Sequence, residues 1–394
     1  MKELIHDWNP KVLKKAPELC DETLRDGLQS PSVLEPDVDA SCQLLSMMDK
    51  LGITIADIGL PGAGERAAGK ALELAKYVVQ QKLSMKIYCA GRTVEADIKP
   101  IADIQNAAGI PIAAYCFLGT SPIRQAVENW DIDMLLKTAE KAIRFAISQN
   151  LEVAFVTEDT TRSSPETLSV LFKQAINMGV KRLVLCDTVG HSTPEGVVNL
   201  VTWAHKLAGD QIALDWHGHN DRGLGLINSL VAAQAGCSRI HGTGLGVGER
   251  VGNTAMDQII INLKLAGVYE HDVSSLGNYV NLVSKACGVP IPYNYPVFGK
   301  DAFRTATGVH AAAVIKAEKR GEEGWADLVY SSVPARHFGQ KQIIEVGPMS
   351  GLSNVHYWLS QNKINATESQ VAKIFELAKS SNHILTDSEI RGCL

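Results

Sequence analysis

"QIALDWHGHND", residues 211–221, begins as a buried strand and ends in chemistry. Gln211 to Trp216 is a short, mostly apolar run, and His217 and His219 follow two positions apart with an acid on either side. Side chains alternate along an extended chain, so Asp215, His217 and His219 share one face while Trp216 and Gly218 take the other. Two imidazoles aimed the same way at a strand end are either metal ligands or a hydrogen-bonded structural pair. The stretch by itself admits both.

Similar runs rich in Val, Ile, Leu, Cys and Ala lie at Glu18 to Thr23, Ile53 to Leu60, Lys86 to Cys89, Pro111 to Leu118, Leu151 to Thr157, Arg182 to Cys186 and Arg239 to Thr243, making eight in all. Between them, apolar residues recur at helical spacing, as in Leu135, Ala139, Ala142, Ile143 and Ala146. Pro36, Ser164 to Pro165 and Thr193 to Pro194 read as helix starts, and Gly52, Gly179 and Gly236 as stops. Strand then helix, eight times over, predicts an α/β protein built on a (β/α)8 TIM barrel, a fold of ~250 residues. A doubly wound open sheet has the same local periodicity and is the rival.

The eighth unit ends near Gly267, after which a proline- and tyrosine-rich segment, a Gly/Ala stretch and the charged AEKRGEEG follow. The expected layout is a catalytic barrel over residues 1–285 and a smaller, mainly helical C-terminal region over 286–394 that contributes to the active site.

A chain of 394 residues with 45% hydrophobic content can bury a full core. A formal charge of −5 without a dense Lys/Arg run gives no field for nucleic acid, so small molecules are the expected partners. The N-terminus lacks the apolar core of a signal peptide, and no segment approaches the roughly 20 apolar residues of a membrane span. The expected location is cytoplasmic, with no membrane partner. No two of the eight cysteines have CxxC spacing; reduced, buried thiols are expected.

Barrel active sites are built at the carboxyl ends of the strands. Polar clusters fall there repeatedly: "CDETLRDGLQ" (20–29) with Arg25, Asp26 and Gln29; "TEDTTR" (157–162) with Glu158 and Arg162; "DTVG" (187–190) with Thr188; and "GTGLGVGERVGN" (242–253) with Glu249, Arg250 and Asn253. Asp26 and two histidines make three corners of a nitrogen/oxygen site suited to Mg²⁺, Mn²⁺, Zn²⁺ or Fe²⁺. Glycines at strand ends also serve plain tight turns.

Taken together, DETLRDG, HGHND and GxGxGERxGN, in that order, resemble the metal-dependent acyl-CoA/2-oxo acid barrel enzymes: 2-isopropylmalate, homocitrate and citramalate synthases and, more distantly, hydroxymethylglutaryl-CoA lyase. The resemblance spans residues 18 to about 360. It implies a divalent metal held by Asp26, His217 and His219, with Asn253 as a further ligand or neighbour, and an acyl-CoA co-substrate. By the same resemblance Arg25 polarises the keto oxygen and Thr188 holds the keto acid's carboxylate, with Gln29, Arg162 and Glu249 as further substrate contacts.

The reaction implied is a Claisen condensation followed by thioester hydrolysis, the metal serving as Lewis acid. In "TATGVHAAA", His310 matches the family's base, usually supplied by the partner subunit of a homodimer; Glu158 would orient it, and Tyr330 resembles a tyrosine near the hydrolysis step.

Departures bear on substrate. Homocitrate synthases carry an arginine where this chain has Ala154, so a keto acid with an uncharged side chain is expected. Leu60 stands before Pro61 where the isopropylmalate enzymes commonly show phenylalanine, so the pocket shape differs. A lyase running C–C cleavage is the alternative, but residues 242–253 lack the cysteine those lyases carry there. A barrel retained only as a binding scaffold is the second.

Overall fold

The computed structural model describes residues 4–10, 13–322 and 324–394. Eight parallel strands close in sequential order: β1 (Glu18–Asp21), β2 (Ile55–Asp57), β3 (Lys86–Arg92), β4 (Ile112–Gly119), β5 (Glu152–Glu158), β6 (Arg182–Asp187), β7 (Ala213–Gly218) and β8 (Arg239–Gly242). β8 pairs with β1, Cys20 opposite His241 and Asp21 opposite Gly242. That pairing removes both sheet edges and decides against the open sheet.

The crossovers are α1 (Val38–Leu51), α2 (Glu65–Gln81), α3 (Glu95–Ala108), α4 (Pro122–Glu128) with α5 (Ile132–Ser148), α6 (Pro165–Asn177), α7 (Pro194–Ala208), α8 (Gly225–Ala235) and α9 (Met256–Leu265), then α10 (Leu276–Cys287). Ser164 and Thr193 cap α6 and α7 through their side chains, each followed by proline in the first turn. Gly52 and Gly236 end α1 and α8 at positive φ. At α1 the start lies later than Pro36, because the Asp37 carboxylate accepts the Ala40 N–H at 2.7 Å and takes the cap.

Outward strand residues such as Ile87, Leu183, Trp216 and Ile240 are buried, as are Leu44, Leu74, Ile101, Leu171 and Val201 of the helices. Inside the barrel, Cys20, Ile55, Tyr88, Ala90, Ala113, Tyr115, Ala154, Val184 and Cys186 form a second cluster. All eight cysteines are free thiols, and Cys20, Cys89, Cys116 and Cys186 are buried.

The chain divides into two compact units. One comprises Pro10–Asp272 and Asn278–Pro290; the other comprises Ile291–Leu394 with Val273–Gly277 and the segment ending at Asn9. The second carries α11 (Gly308–Lys319), α12 (Trp325–Leu328), α13 (Leu352–Gln361), α14 (Glu368–Ser380) and α15 (Asp387–Arg391). Its core gathers Val355, Trp358, Ile374, Leu385 and Ile390. No helix among the described residues is long and apolar enough to cross a membrane.

Candidate active site

The first and seventh strands bring the acid and the imidazoles together. The 3-10 turn after β1, Asp26–Gln29, places Asp26 at the rim. His217 is the penultimate residue of β7, and His219 follows its end. Asp26, His217 and His219 offer ligand atoms that lie within 4.8 Å of one another, all three side chains buried. The Asp26 carboxylate stands 3.4 Å from His219 Nε2 and 3.8 Å from His217 Nε2.

Asn253 joins through a backbone bridge to His219, and its amide donates to Asp26 at 2.6 Å. The glycine loop makes this approach possible. A Cβ on Gly248 would stand 2.0 Å from Asn253 Oδ1, and one on Gly252, at φ +97°, would stand 1.9 Å from the Gly246 carbonyl oxygen. Asn253 Oδ1 and His219 Nδ1 are buried without a hydrogen-bond partner. Buried polar atoms are normally satisfied, so the orphaned Asn253 Oδ1, on an amide that meets the Asp26 carboxylate, fits a cation.

A second triad, Glu22, His217 and His241, is also close enough to hold an ion. His241, however, faces a carboxylate from each ring nitrogen: Glu22 at Nδ1 and Asp215 at Nε2, both at 3.2 Å. Burial works against its charge, yet the two acids push its pKa up to about 9. An imidazolium has no lone pair to give. His219 is the reverse case: burial first, then neighbouring His217, brings it down to about 4, so near neutrality it is uncharged and able to ligate.

Arg25 is held on three sides, by Asp57 at 2.9 Å, Glu22 at 2.7 Å and Asp26 at 2.5 Å. Burial raises the Asp26 pKa, but Arg25 and then His217 outweigh it and leave the group below its ordinary value. Asp57 goes the other way, pushed up to about 6 by burial against the pull of Arg25.

These groups border a cavity of about 220 Å³, whose opposite wall includes Ala90, Phe117, Val156, Val184 and Cys186. It is smaller than the roughly 300–1,000 Å³ of sites for drug-sized ligands, so it suits a small metabolite. Charged and imidazole side chains in the lining gather around β1, β7 and β8 and apolar ones around β3 to β6, with Glu158 at the end of β5 the exception. The cavity therefore has one charged and one greasy side.

Gln29, Glu158, Thr188 and Glu249 also line it. The Thr188 hydroxyl accepts the Asp159 N–H at 2.8 Å, and its carbonyl accepts from Arg250 at 2.6 Å. Burial raises the pKa of Glu158, partly offset by Arg124. Arg162 is not among the lining residues: it forms a two-pronged pair with Asp159, at 2.7 and 2.8 Å. Ala154 belongs to the cluster inside the barrel, and Leu60 packs against that cluster.

In the other unit His310 is exposed on α11 and stacks on Tyr330, ring centroids 4.2 Å apart. Glu22, Asp57 and His241 were not singled out from the sequence. Glu22 is two residues after inward-facing Cys20, and the period-two rule could have found it.

Comparisons with known proteins give the family. A family model described as HMGL-like matches residues 16–283. Homocitrate synthase AksA of Methanosarcina mazei is 29% identical over 83% of this chain and 79% of its own length. The 2-isopropylmalate synthase of Sulfolobus acidocaldarius is 27% identical, covering 94% of this chain and 92% of its own. The probable 2-isopropylmalate synthase of Methanopyrus kandleri is 28% identical over 92% of this chain and 69% of its own. Among solved structures, the HMG-CoA lyase of Bacillus subtilis superposes with a TM-score of 0.59 at 20% identity, covering 71% of this chain and 96% of that one. That last likeness speaks to the fold alone. The family model covers more than half of the chain, the barrel it implies is the barrel observed, and the chain belongs to the HMGL-like family.

Proposed function

We propose that the barrel condenses an acyl-CoA, acetyl-CoA in the simplest case, with a 2-oxo acid whose side chain is uncharged, in the manner of a 2-isopropylmalate synthase. The observation that carries this reading is the convergence of Asp26, His217 and His219, with Arg25 beside them, on a cavity whose far wall is apolar. Curated relatives at 27–29% identity are named as homocitrate and 2-isopropylmalate synthases, which supports the condensation and leaves the keto acid to the pocket.

Asp26, His217 and His219 would hold a divalent cation (Mg²⁺, Mn²⁺ or Zn²⁺), with Asn253 Oδ1 free to join. Such an ion supplies Lewis-acid polarisation of a chelated 2-oxo acid. Arg25, pinned by three carboxylates, presents its remaining N–H groups toward charge developing on the keto oxygen; donors fixed beforehand avoid reorganisation during the reaction. Thr188 and Gln29 line the same cavity and would receive the substrate carboxylate.

Arg25 already carries three acids, and the greasy wall offers no cation. A second substrate carboxylate there would be buried without a partner, at a cost of several kcal/mol. His310, exposed and braced on Tyr330, is our candidate base for the thioester methyl group, delivered within a homodimer to the partner's barrel, with Glu158 orienting it.

The test is thiol release by metal-loaded protein given acetyl-CoA and a panel of 2-oxo acids. Stimulation by a branched or short aliphatic acid, and little by 2-oxoglutarate, is expected. No stimulation across the panel, with cleavage of a hydroxyacyl-CoA instead, would replace the synthase by a lyase.

A further inference from the structure

A run of charged side chains crosses the barrel interior. Arg239 donates to Glu18 at 2.7 Å and to the Tyr88 hydroxyl at 2.8 Å, and lies 3.5 Å from Asp215. Asp215 meets His241 at 3.2 Å, and His241 meets Glu22 at 3.2 Å. Glu22 then reaches His217 Nδ1 at 2.6 Å through one oxygen and Arg25 at 2.7 Å through the other.

Glu22 is 1% exposed. A carboxylate so deep is costly unless its oxygens are satisfied. Here His217 at 2.6 Å, Arg25 at 2.7 Å and His241 at 3.2 Å satisfy them.

An ionised carboxylate only accepts hydrogen bonds. A histidine that ligates through Nε2 carries its proton on Nδ1, and His217 Nδ1 lies 2.6 Å from a Glu22 oxygen placed to accept that N–H. That leaves the lone pair on Nε2, the nitrogen facing Asp26 at 3.8 Å. A ligating histidine whose second nitrogen donates to a carboxylate is fixed in tautomer and ring orientation and gains basicity. The other oxygen of the same carboxylate holds Arg25, so the metal-side imidazole and the arginine of the keto oxygen are tied to one anchor.

We propose that Glu22 is a positioning residue of this site: it presents His217 Nε2 to the cation and sets that imidazole and the Arg25 guanidinium in a single register. The inference rests on the metal site proposed above, and its test separates the two.

Mn²⁺ binding is measured by competition with a chelating indicator on wild-type protein and on Glu22→Gln, whose amide keeps the shape but offers one acceptor instead of two. The affinity should fall by roughly 10–100-fold, the usual loss for an outer partner of a ligand. Glu22→Asp, which keeps the charge on a shorter arm, should recover part of it. A Glu22→Gln protein that melts earlier but binds Mn²⁺ within about twofold of wild type would make Glu22 a packing residue only and overturn the proposal.

Should the variant not fold, nitrogen-15 spectra of the histidines in Zn²⁺-loaded wild-type protein decide. His217 with its proton on Nδ1 supports the proposal, and ligation through Nδ1 overturns it. Wild-type protein that binds neither Mn²⁺ nor Zn²⁺ removes the metal reading itself.

Discussion

Stability should fall steeply on the alkaline side of neutrality, and His241 should be the cause. Its ring lies between the Asp215 and Glu22 carboxylates, fully buried, with Tyr115 stacked on it at 5.5 Å. Folding raises its pKa from the ordinary 6.5 to about 9. Below pH 6.5 both folded and unfolded chains hold the proton, and the stabilisation is fully present. Between 6.5 and 9 only the folded chain holds it, so stability falls by about 1.4 kcal/mol per pH unit, roughly 3 kcal/mol in all.

The assay is guanidinium unfolding of EDTA-treated protein at a series of pH values, followed by tryptophan fluorescence, to which buried Trp216 on β7 contributes. His241→Gln should be less stable than wild type at pH 6, show a much flatter slope, and converge with wild type near pH 9. Parallel slopes for the two proteins would refute the assignment of a buried imidazolium here.

Asp26→Asn removes the anionic corner of the cation seat, and its loss of Mn²⁺ affinity, read by calorimetry, should exceed the roughly 10–100-fold expected of an outer partner. Arg25→Lys keeps a positive charge but cannot engage Glu22, Asp26 and Asp57 at once; thiol-release assays should show kcat lowered by on the order of 10²–10³-fold. Gly248→Ala sets a methyl group against Asn253 Oδ1, so Asn253 must withdraw from Asp26. We expect a stability loss of about 1–3 kcal/mol by thermal melting, together with weaker Mn²⁺ binding.

Much of the barrel was legible because its signals are local. Apolar runs marked the strands, Ser164 and Thr193 ahead of proline marked helix starts, and glycines marked the stops. The motif residues could be placed on the rim for the same reason, since each lies at or just beyond a strand end. Arg162 is instructive: its spacing to Asp159 is local, and the ion pair they form could have been anticipated. Pro36 failed as a start because Asp37, one residue on, has the better capping side chain.

The meeting of Glu22 with His241 was out of reach for another reason. They are 219 residues apart, and they meet because β8 closes on β1. The amino-acid sequence by itself determined the period of the strands, the direction in which His217 and His219 point, and which residues stand at the strand ends, because alternation and capping act over a few residues. Only the closed barrel decided which inward-facing charges become neighbours, and so which histidine is protonated between two acids and which is left free for a cation. Those properties depend on distances across the barrel and on exclusion of water, and neither exists until the last strand has paired with the first.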